Sequence, residues 1–444
     1  MNFPRFAELR KKIFVSRSRP REGSAENRGK LIGFPEPQFS VLSAGGLAGT
    51  PMGEKALPGI IAGAADLDPA AVLTATVAGA SFGTAVGWVV LLCIPILQSV
   101  FGVAARIGHE TKLGLIKLIR EHFGARIAVT IACMVALVNV TMIVADLMAV
   151  SDAFSIVLNQ PARFFPAVVA FVVWYILTLA GYGRVNPTLS LLSLFLLAYV
   201  AAAMLAIGAP PAPAVIRATQ GNSLRAGGYL MAIIAVFGSL LTPDVVVWQT
   251  STKREAKGFH DIEAQVGCVV ACLVSLSVIV AASRMQVADP FSMTTREAAG
   301  ALAPLGAIGP ILFALGIIGS GLVALPILVA SLCFSISEAA NWSSGLSKPP
   351  WEARRFFVMI GAVLLLAVVA NYFGINTVKT LFWSQVLAGI FVVPILFFIL
   401  WISNDRRIMK NTNTAWQNFW LGGAVGGMLV ANIMFFGAKF FGWK

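Results

Sequence analysis

Apolar residues dominate this chain in long runs that are separated by short polar or charged segments. Each run is close to the ~20 residues that an α-helix needs to cross the hydrocarbon core of a bilayer. The chain is therefore expected to be an all-α polytopic membrane protein whose partner is the lipid bilayer. The pattern predicts eleven spans, at 57–82, 84–105, 126–153, 163–181, 187–208, 228–250, 263–283, 308–336, 355–373, 377–401 and 417–440.

Composition and charge agree with this pattern and add an orientation. The chain is 58% hydrophobic and only 12% charged, about half the charged share of a soluble domain. With the N-terminus in the cytoplasm, the inner segments hold 25 of the 33 basic residues. The positive-inside rule then predicts a cytoplasmic N-terminus and an external C-terminus, as expected in a bacterial inner membrane. The net charge of +13 is thus explained by basic residues in the cytoplasmic segments. No nucleic-acid partner is expected.

Two predicted spans are interrupted by a proline beside an aspartate. Asp68-Pro69 lies inside span one, and Pro243-Asp244 lies inside span six. Proline breaks a helix, and non-helical backbone at membrane depth persists only around a cavity or within protein. A carboxylate at that depth normally faces such a cavity. The pattern therefore predicts a cation site formed by carboxylates and exposed carbonyl groups; the alternative is a proline kink beside a hydrogen-bonded aspartate.

The spacing of the two interruptions predicts the arrangement of domains. They fall five spans apart, as expected when two five-helix repeats of inverted topology each contribute a discontinuous helix to a midplane site. The expected domains are a flexible basic tail at 1–45, repeats at 46–208 and 209–401, and a loop with the eleventh helix at 402–444. Segment 106–125 is predicted to be either an amphipathic helix at the inner interface or a solvated loop helix.

Several strings in these spans resemble divalent-metal transporters of the natural resistance-associated macrophage protein (NRAMP) family. They are GAADLDPAAVLTATVAGASFG in span one, VADLM in span three, LTPDVVVWQ in span six, ILFALGIIGSG in span eight and SQVLAGIFVVPILFFILWISNDRRIM around span ten. The resemblance covers about residues 57–410. It implies the inverted-repeat, LeuT-like transporter fold with discontinuous helices 1 and 6 and an additional eleventh helix.

The resemblance also implies roles for individual residues. Asp68 matches the metal-binding aspartate of the family, and Gln385 matches a glutamine that approaches the ion. The remaining matches are the backbone carbonyl groups of Ala65 and Ser239 at the metal site, and the proton-path residues Asp146, Arg354 and Arg355.

Departures from the family pattern change the expected substrate. The family's asparagine, methionine and histidine are replaced here by Ala71, Thr242 and Asp244, and a glutamate after Asp146 is replaced by Ala149. A thioether ligand favours softer transition metals, so its loss leaves an all-oxygen site. Mg²⁺ keeps several waters and needs only one or two carboxylates. The chain is therefore expected to resemble the NRAMP-related magnesium transporters, with Asp68 and Asp244 as metal ligands.

Alternatives remain open at this point. Asp244 is expected to act either as an ion ligand or as a proton or salt-bridge group. The first hypothesis for the chain as a whole is a Mg²⁺ transporter that also takes Mn²⁺. The alternatives on the same fold are a proton-coupled Mn²⁺ or Fe²⁺ symporter and a carrier of a trivalent ion or an organic solute. A further alternative is a receptor that has lost transport. No hydrolase or ATP-binding motif is found, so no enzyme activity and no cofactor are expected. A functional monomer is expected. Asn139 and Asp152 are expected to form interhelical hydrogen bonds.

Overall fold

A computed structural model describes residues 67–180, 191–207, 226–252, 262–287, 289–346 and 351–440, and these residues form helices and connecting loops. The first half contains α1 (Pro69–Phe82), α2 (Gly87–Thr111), α3 (Leu115–Phe123), α4 (Ala125–Leu158), α5 (Pro166–Tyr175) and α6 (Ala198–Ile207). The second half contains α7 (Ala226–Leu240), α8 (Pro243–Thr252), α9 (Ile262–Ala282), α10 (Thr295–Ala298), α11 (Gly309–Ala340), α12 (Arg354–Asn371), α13 (Thr377–Asn404) and α14 (Ala415–Phe440).

The described helices match the predicted spans. Nine stretches of the described residues are long and apolar enough to cross a membrane. One of them, Pro69–Thr111, contains both the described part of span one and all of span two. A shorter apolar helix, Leu191–Ile207, matches span five. Each predicted span is therefore found as helix over most of its described residues, and residues 57–66 of span one lie outside the described ranges.

Both predicted interruptions coincide with helix starts. The backbone of Asp68 is extended, with φ −68° and ψ 164°, and α1 begins at the next residue, Pro69. In span six, α7 ends at Leu240 and α8 begins at Pro243. Proline suits the first position of a helix because the missing N–H is one that the helix would leave unpaired. The two prolines therefore lie at the first positions of helices and not in helix interiors.

The longest helices occupy equivalent places in the two repeats and pack against each other. α4, the third span, has 34 residues, and α11, the eighth, has 32. Their contact is the most extensive in the described structure. α1 packs against α9, α13, α7 and, less extensively, α4. α1 is thus surrounded by helices from both halves of the chain.

Segment 106–125 contains the predicted amphipathic helix, but its apolar face is covered by protein. α2 continues to Thr111, and α3 then buries Leu115, Ile116, Leu118 and Ile119 against α4 and α11. Gly114 precedes α3 at a close approach, because a Cβ there would overlap the carboxylate of Glu338. The Glu338 carboxylate accepts a 3.3 Å hydrogen bond from the Lys117 N–H. The helix is thus a packed element of the bundle.

The outer surface of the bundle is apolar. On α12, for example, the side chains of Val358, Leu365, Leu366 and Val369 are exposed on the outside of the helix. Such a continuous apolar surface is unsuited to water but matches the acyl chains of a bilayer. Together with the nine apolar stretches of described helix, it makes the chain an integral membrane protein.

Candidate functional site

Asp68 caps the N-terminus of α1. Its Oδ1 accepts a 2.5 Å hydrogen bond from the Ala71 N–H, and the side chain is buried. An aspartate at this position satisfies an unpaired N–H and is favoured by the positive end of the helix dipole. The cap uses one of the two carboxylate oxygens. Asp68 is therefore both a structural cap and an anion held at the interruption.

Asp244 lies in the first turn of α8, at the second interruption. It is 3% exposed, and one carboxylate oxygen, Oδ1, has no hydrogen-bond partner. The Thr242 hydroxyl is within hydrogen-bonding reach of the carboxylate. On the backbone side, the Ser331 hydroxyl of α11 donates a 2.9 Å hydrogen bond to the Asp244 carbonyl oxygen. The start of α8 is therefore tied to a long supporting helix.

Asp146 is the third carboxylate near the interruptions. It lies on α4 and is fully buried, and neither carboxylate oxygen has a hydrogen-bond partner of normal geometry. The N–H of Ala70, in the first turn of α1, lies towards it. Burying an ionised carboxylate without a partner is unfavourable by several kcal/mol. Asp146 therefore requires a proton or a cation nearby.

The three carboxylates interact electrostatically. The Asp146 carboxylate is close enough to be repelled by the charges of both Asp68 and Asp244, and Asp68 is likewise repelled by Asp244. Within the described ranges none of them is paired with a lysine, arginine or histidine. In the same ranges, no three His, Cys, Asp or Glu side chains converge closely enough to hold a metal ion together. Asp68, Asp146 and Asp244 thus form an anionic cluster that has no basic partner among the described residues.

Gln385 on α13 is brought to the second interruption by an unusually close helix contact. A Cβ at Gly238 of α7 would overlap the carbonyl oxygen of Gln385, and a Cβ at Gly389 would overlap the carbonyl oxygen of Ile234. Glycine alone allows this approach between the two backbones. The Gln385 side chain is fully buried, and neither its amide oxygen nor its nitrogen has a hydrogen-bond partner. Its amide group is therefore available to a ligand or to water.

The remaining residues predicted at the metal site fall into two groups. Ser239 lies in the last turn of α7, where carbonyl groups lack helical partners, and its hydroxyl bonds to the Val236 carbonyl at 2.9 Å. Ala71 lies in the first turn of α1, contributes its N–H to Asp68 and presents only a methyl group. Ala65 lies outside the described residues, so its predicted carbonyl role stays a prediction.

The structure separates the predicted arginine pair from the carboxylates. Arg354 and Arg355 are exposed at the start of α12, where the Arg355 guanidinium lies 5.2 Å from the centroid of the Trp342 ring. At the other end of α12, the Asn371 amide lies 3.4 Å from the Val144 carbonyl, two residues before Asp146. The intervening helix spans about 25 Å. The proton-path role of these arginines stays a prediction without direct contact to Asp146.

Sequence reasoning missed the residues that position the site. Ser331 supports Asp244, and Gly238 and Gly389 admit Gln385. Gly321 of α11 is equally placed: a Cβ there would overlap Val150 and lie 3.1 Å from Pro69. The only signal for these residues was a small side chain within an apolar run. Asn139, by contrast, forms the expected interhelical hydrogen bond, to the Leu328 carbonyl at 3.3 Å.

The fold and the buried carboxylates at two helix interruptions are typical of a helical membrane transport protein. A family model described as natural resistance-associated macrophage protein-like matches residues 59–438, and the chain belongs to this family.

Individual relatives agree with this assignment. The chain is 24% identical over 370 residues to the divalent metal cation transporter MntH of Verminephrobacter eiseniae, covering 79% of this chain and 81% of that protein. It is 23% identical over 369 residues to MntH of Acidiphilium cryptum, covering 79% and 82%. A crystal structure of the Eremococcus coleocola manganese transporter superposes with a TM-score of 0.67 at 14% identity, covering 89% of this chain and 90% of that one.

These relatives are transporters and not enzymes, and the divalent metal is their substrate, not a resident cofactor. The chain is accordingly a divalent-metal transport protein of this family, with the LeuT-like fold that its structural neighbours share.

Proposed function

We propose that this chain carries Mg²⁺ across the membrane, with Mn²⁺ as a weaker substrate, at a hydrated site beside the two helix interruptions. One observation carries the proposal: the buried carboxylates of Asp68 and Asp244 occupy the starts of α1 and α8 and interact electrostatically. Two like charges at this depth are stabilised by a cation between the half-helices. The curated relatives are named as divalent metal cation transporters, which supports the same class of cargo.

The chemistry of the side chains favours a hard cation. The candidate ligands are the carboxylates of Asp68 and Asp244, the hydroxyl of Thr242, the amide oxygen of Gln385 and the Ser239 carbonyl. All of these donate oxygen, the ligand that Mg²⁺ prefers, and neither thioether nor imidazole is among them. This all-oxygen set lacks the methionine thioether that would favour a softer ion such as Mn²⁺ over Mg²⁺.

The loose spacing of the cluster supports a hydrated ion. Because no three of the described acidic, histidine or cysteine side chains converge on one point, one or two carboxylates contact the ion and water completes its shell. Mg²⁺ retains several waters in most protein sites. The small Ala71 side chain, where the family has asparagine, leaves room for that water.

Transport then follows from alternating access. In folds of this kind, one group of helices rocks against the other around a midplane site. α1 and α8 begin at that site, while α4 and α11 pack together as a continuous pair. Motion of α1 and α8 relative to this pair opens the site to one face of the membrane at a time.

A proton-coupled Mn²⁺ symporter is the second candidate, and Asp146 is the observation that favours it. This buried carboxylate has unpaired oxygens and interacts with both Asp68 and Asp244. A proton on Asp146 would leave when a cation binds. We infer uncoupled flux because the family's histidine and one glutamate are replaced here by Asp244 and Ala149.

The test is flux in proteoliposomes loaded with a Mg²⁺- or Mn²⁺-sensitive dye, with a second dye that reports lumenal pH. Asp68→Asn is the informative variant because asparagine retains the helix cap while losing the charge. We expect it to keep the thermal stability of the parent and to lose Mg²⁺ flux. Glu121→Gln, on the exposed side of α3, is the matched control. Parent-level Mg²⁺ flux in Asp68→Asn, or Mn²⁺ flux that exceeds Mg²⁺ flux in the parent, would overturn the proposal.

A further inference from the structure

We propose that Asp152 is a latch that closes the distal end of the transport path by holding segment 289–298 against α4. The distal end is the end of the bundle at which α4 finishes and α13 begins. Asp152 Oδ2 accepts a 2.6 Å hydrogen bond from the Thr295 hydroxyl of α10. The Thr377 hydroxyl, at the first residue of α13, also lies within hydrogen-bonding reach of this carboxylate. One side chain therefore joins three elements.

The same segment is fastened a second time by α13. The Asn376 amide donates to the carbonyl groups of Ser292 and Met293, at 3.1 and 3.4 Å. The Phe291 ring meets the Phe382 ring edge-on, with 5.2 Å between the ring centroids. These contacts place segment 289–298 between α4 and α13, so both helices must release it before it moves.

Segment 289–298 also touches the half-helix that begins at Asp68. α10 packs against α1 as well as α4. Thr294 and Glu297 form a capping box that satisfies the start of α10, which makes this short helix a firm unit. Holding α10 therefore restrains α1 where the two helices are in contact, and releasing α10 removes that restraint.

The strength of the latch suits a reversible element. Asp152 is half-buried beside a cavity of about 410 Å³ that Ser155 and Arg296 also line. Water from this cavity is able to replace the hydroxyl partners when the latch opens. The net contribution of two such hydrogen bonds is small compared with the stability of the whole fold. They therefore favour the closed state without locking it, as a reversible gate requires.

The position of Asp152 along α4 connects the latch to the carboxylate cluster. Asp152 lies six residues beyond Asp146 on one helix, a rise of about 9 Å. Ala149 is three residues from each of them and is fully buried. Residues three apart are neighbours on a helix surface, so a reporter at Ala149 lies close to both the latch and the cluster. This inference rests on the proposal that the chain transports a cation, but it does not depend on that cation being Mg²⁺.

Thiol accessibility tests the latch without reference to any substrate. Ala149→Cys serves as the reporter in a Cys133→Ser background, because Cys133 is the exposed one of the five cysteines. The reporter's reaction with a charged methanethiosulfonate reagent is timed by mass spectrometry in detergent. We expect Asp152→Ala and Thr295→Val to accelerate the reaction several-fold, while Ser155→Ala, in the same cavity, leaves it unchanged. Parent-like rates in both latch variants, with folded protein, would overturn the inference.

A cross-linking experiment covers the case in which those variants do not fold. Asp152→Cys and Thr295→Cys are combined in the Cys133→Ser background and bridged with a bifunctional methanethiosulfonate reagent. We expect the bridge to stop divalent-cation flux in proteoliposomes and a reductant to restore it. Undiminished flux through fully bridged protein would show that α10 need not leave α4 during transport, and the latch would be rejected.

Discussion

The Ser331 hydroxyl on α11 donates a 2.9 Å hydrogen bond to the backbone carbonyl of Asp244, the second residue of α8. The contact joins the eighth span to the start of the half-helix in the sixth. It fixes the backbone that carries a candidate ligand without touching the ligand's carboxylate. We therefore expect Ser331 to be a positioning residue for the proposed cation site.

Ser331→Ala removes this tie and leaves the helix otherwise intact. A net hydrogen bond contributes about 1 kcal/mol, so we expect a small loss of thermal stability and a several-fold rise in the Mg²⁺ concentration for half-maximal flux. Ser335→Ala is the matched control, because the Ser335 hydroxyl bonds only within α11, to the Ser331 carbonyl at 2.8 Å. Equal half-saturation in the two variants would count against a positioning role.

Gly238→Ala should disturb the site through packing. The added Cβ overlaps the Gln385 carbonyl oxygen and lies against the backbone of Gly389, and overpacking of this kind is destabilising by roughly 1–3 kcal/mol. We expect a lower melting temperature, measured by tryptophan fluorescence, and a reduced rate of flux. Gly426→Ala on α14 is the control, since a Cβ there meets nothing within 4 Å. A Gly238→Ala protein as stable as this control would contradict the close contact of α7 and α13.

The spans and both interruptions were predictable from the sequence because each depends on a local pattern. Apolar runs identify the helices, and a proline beside an aspartate identifies the starts of α1 and α8. The capping role of Asp68 was also predictable from the sequence, since aspartate followed by proline is typical of a helix start. The hydrogen-bonded aspartate of the alternative interpretation is confirmed, since Asp68 accepts a hydrogen bond from the Ala71 N–H.

Positions that depend on the packing of distant helices were not predictable. Nothing near Gly238 in the sequence indicates Gln385, which is 147 residues away. In the same way, Arg354 and Arg355 match a family motif, but the register of α12 against α4 places Asn371, not the arginines, beside Val144. A single apolar run does not reveal which of its small residues meet a neighbouring backbone, because that depends on how distant helices pack.

Thr242→Met tests the basis of the proposed ion preference. The substitution places a thioether beside Asp244, where the family has methionine, and soft ligands favour later transition metals. We expect the ratio of Mn²⁺ to Mg²⁺ flux, and the affinity for Cd²⁺, to rise several-fold. Thr242→Ser retains the hydroxyl and should keep the parent's ratio. An unchanged ratio in Thr242→Met would mean that residue 242 does not contact the ion.

Asp146→Asn separates uncoupled flux from proton-coupled transport. Asparagine keeps the size of the side chain and removes its charge, so it leaves two of the three interacting carboxylates. Two unit charges ~10 Å apart interact by roughly 1.7 kcal/mol at an effective dielectric constant of ~20. We therefore expect the affinity for Mg²⁺ to fall about tenfold while the maximal flux persists, measured as initial uptake rates over a range of Mg²⁺ concentrations.

The parent serves as the reference for proton movement in the same assay. Since we propose that flux is uncoupled, Mg²⁺ uptake by the parent should leave the lumenal pH unchanged, and Asp146→Asn should do the same. Lumenal acidification during uptake by the parent that disappears in Asp146→Asn would instead identify Asp146 as the proton carrier. That outcome would replace uncoupled Mg²⁺ flux with symport, because the buried carboxylate would then carry a proton in the same direction as each transported cation.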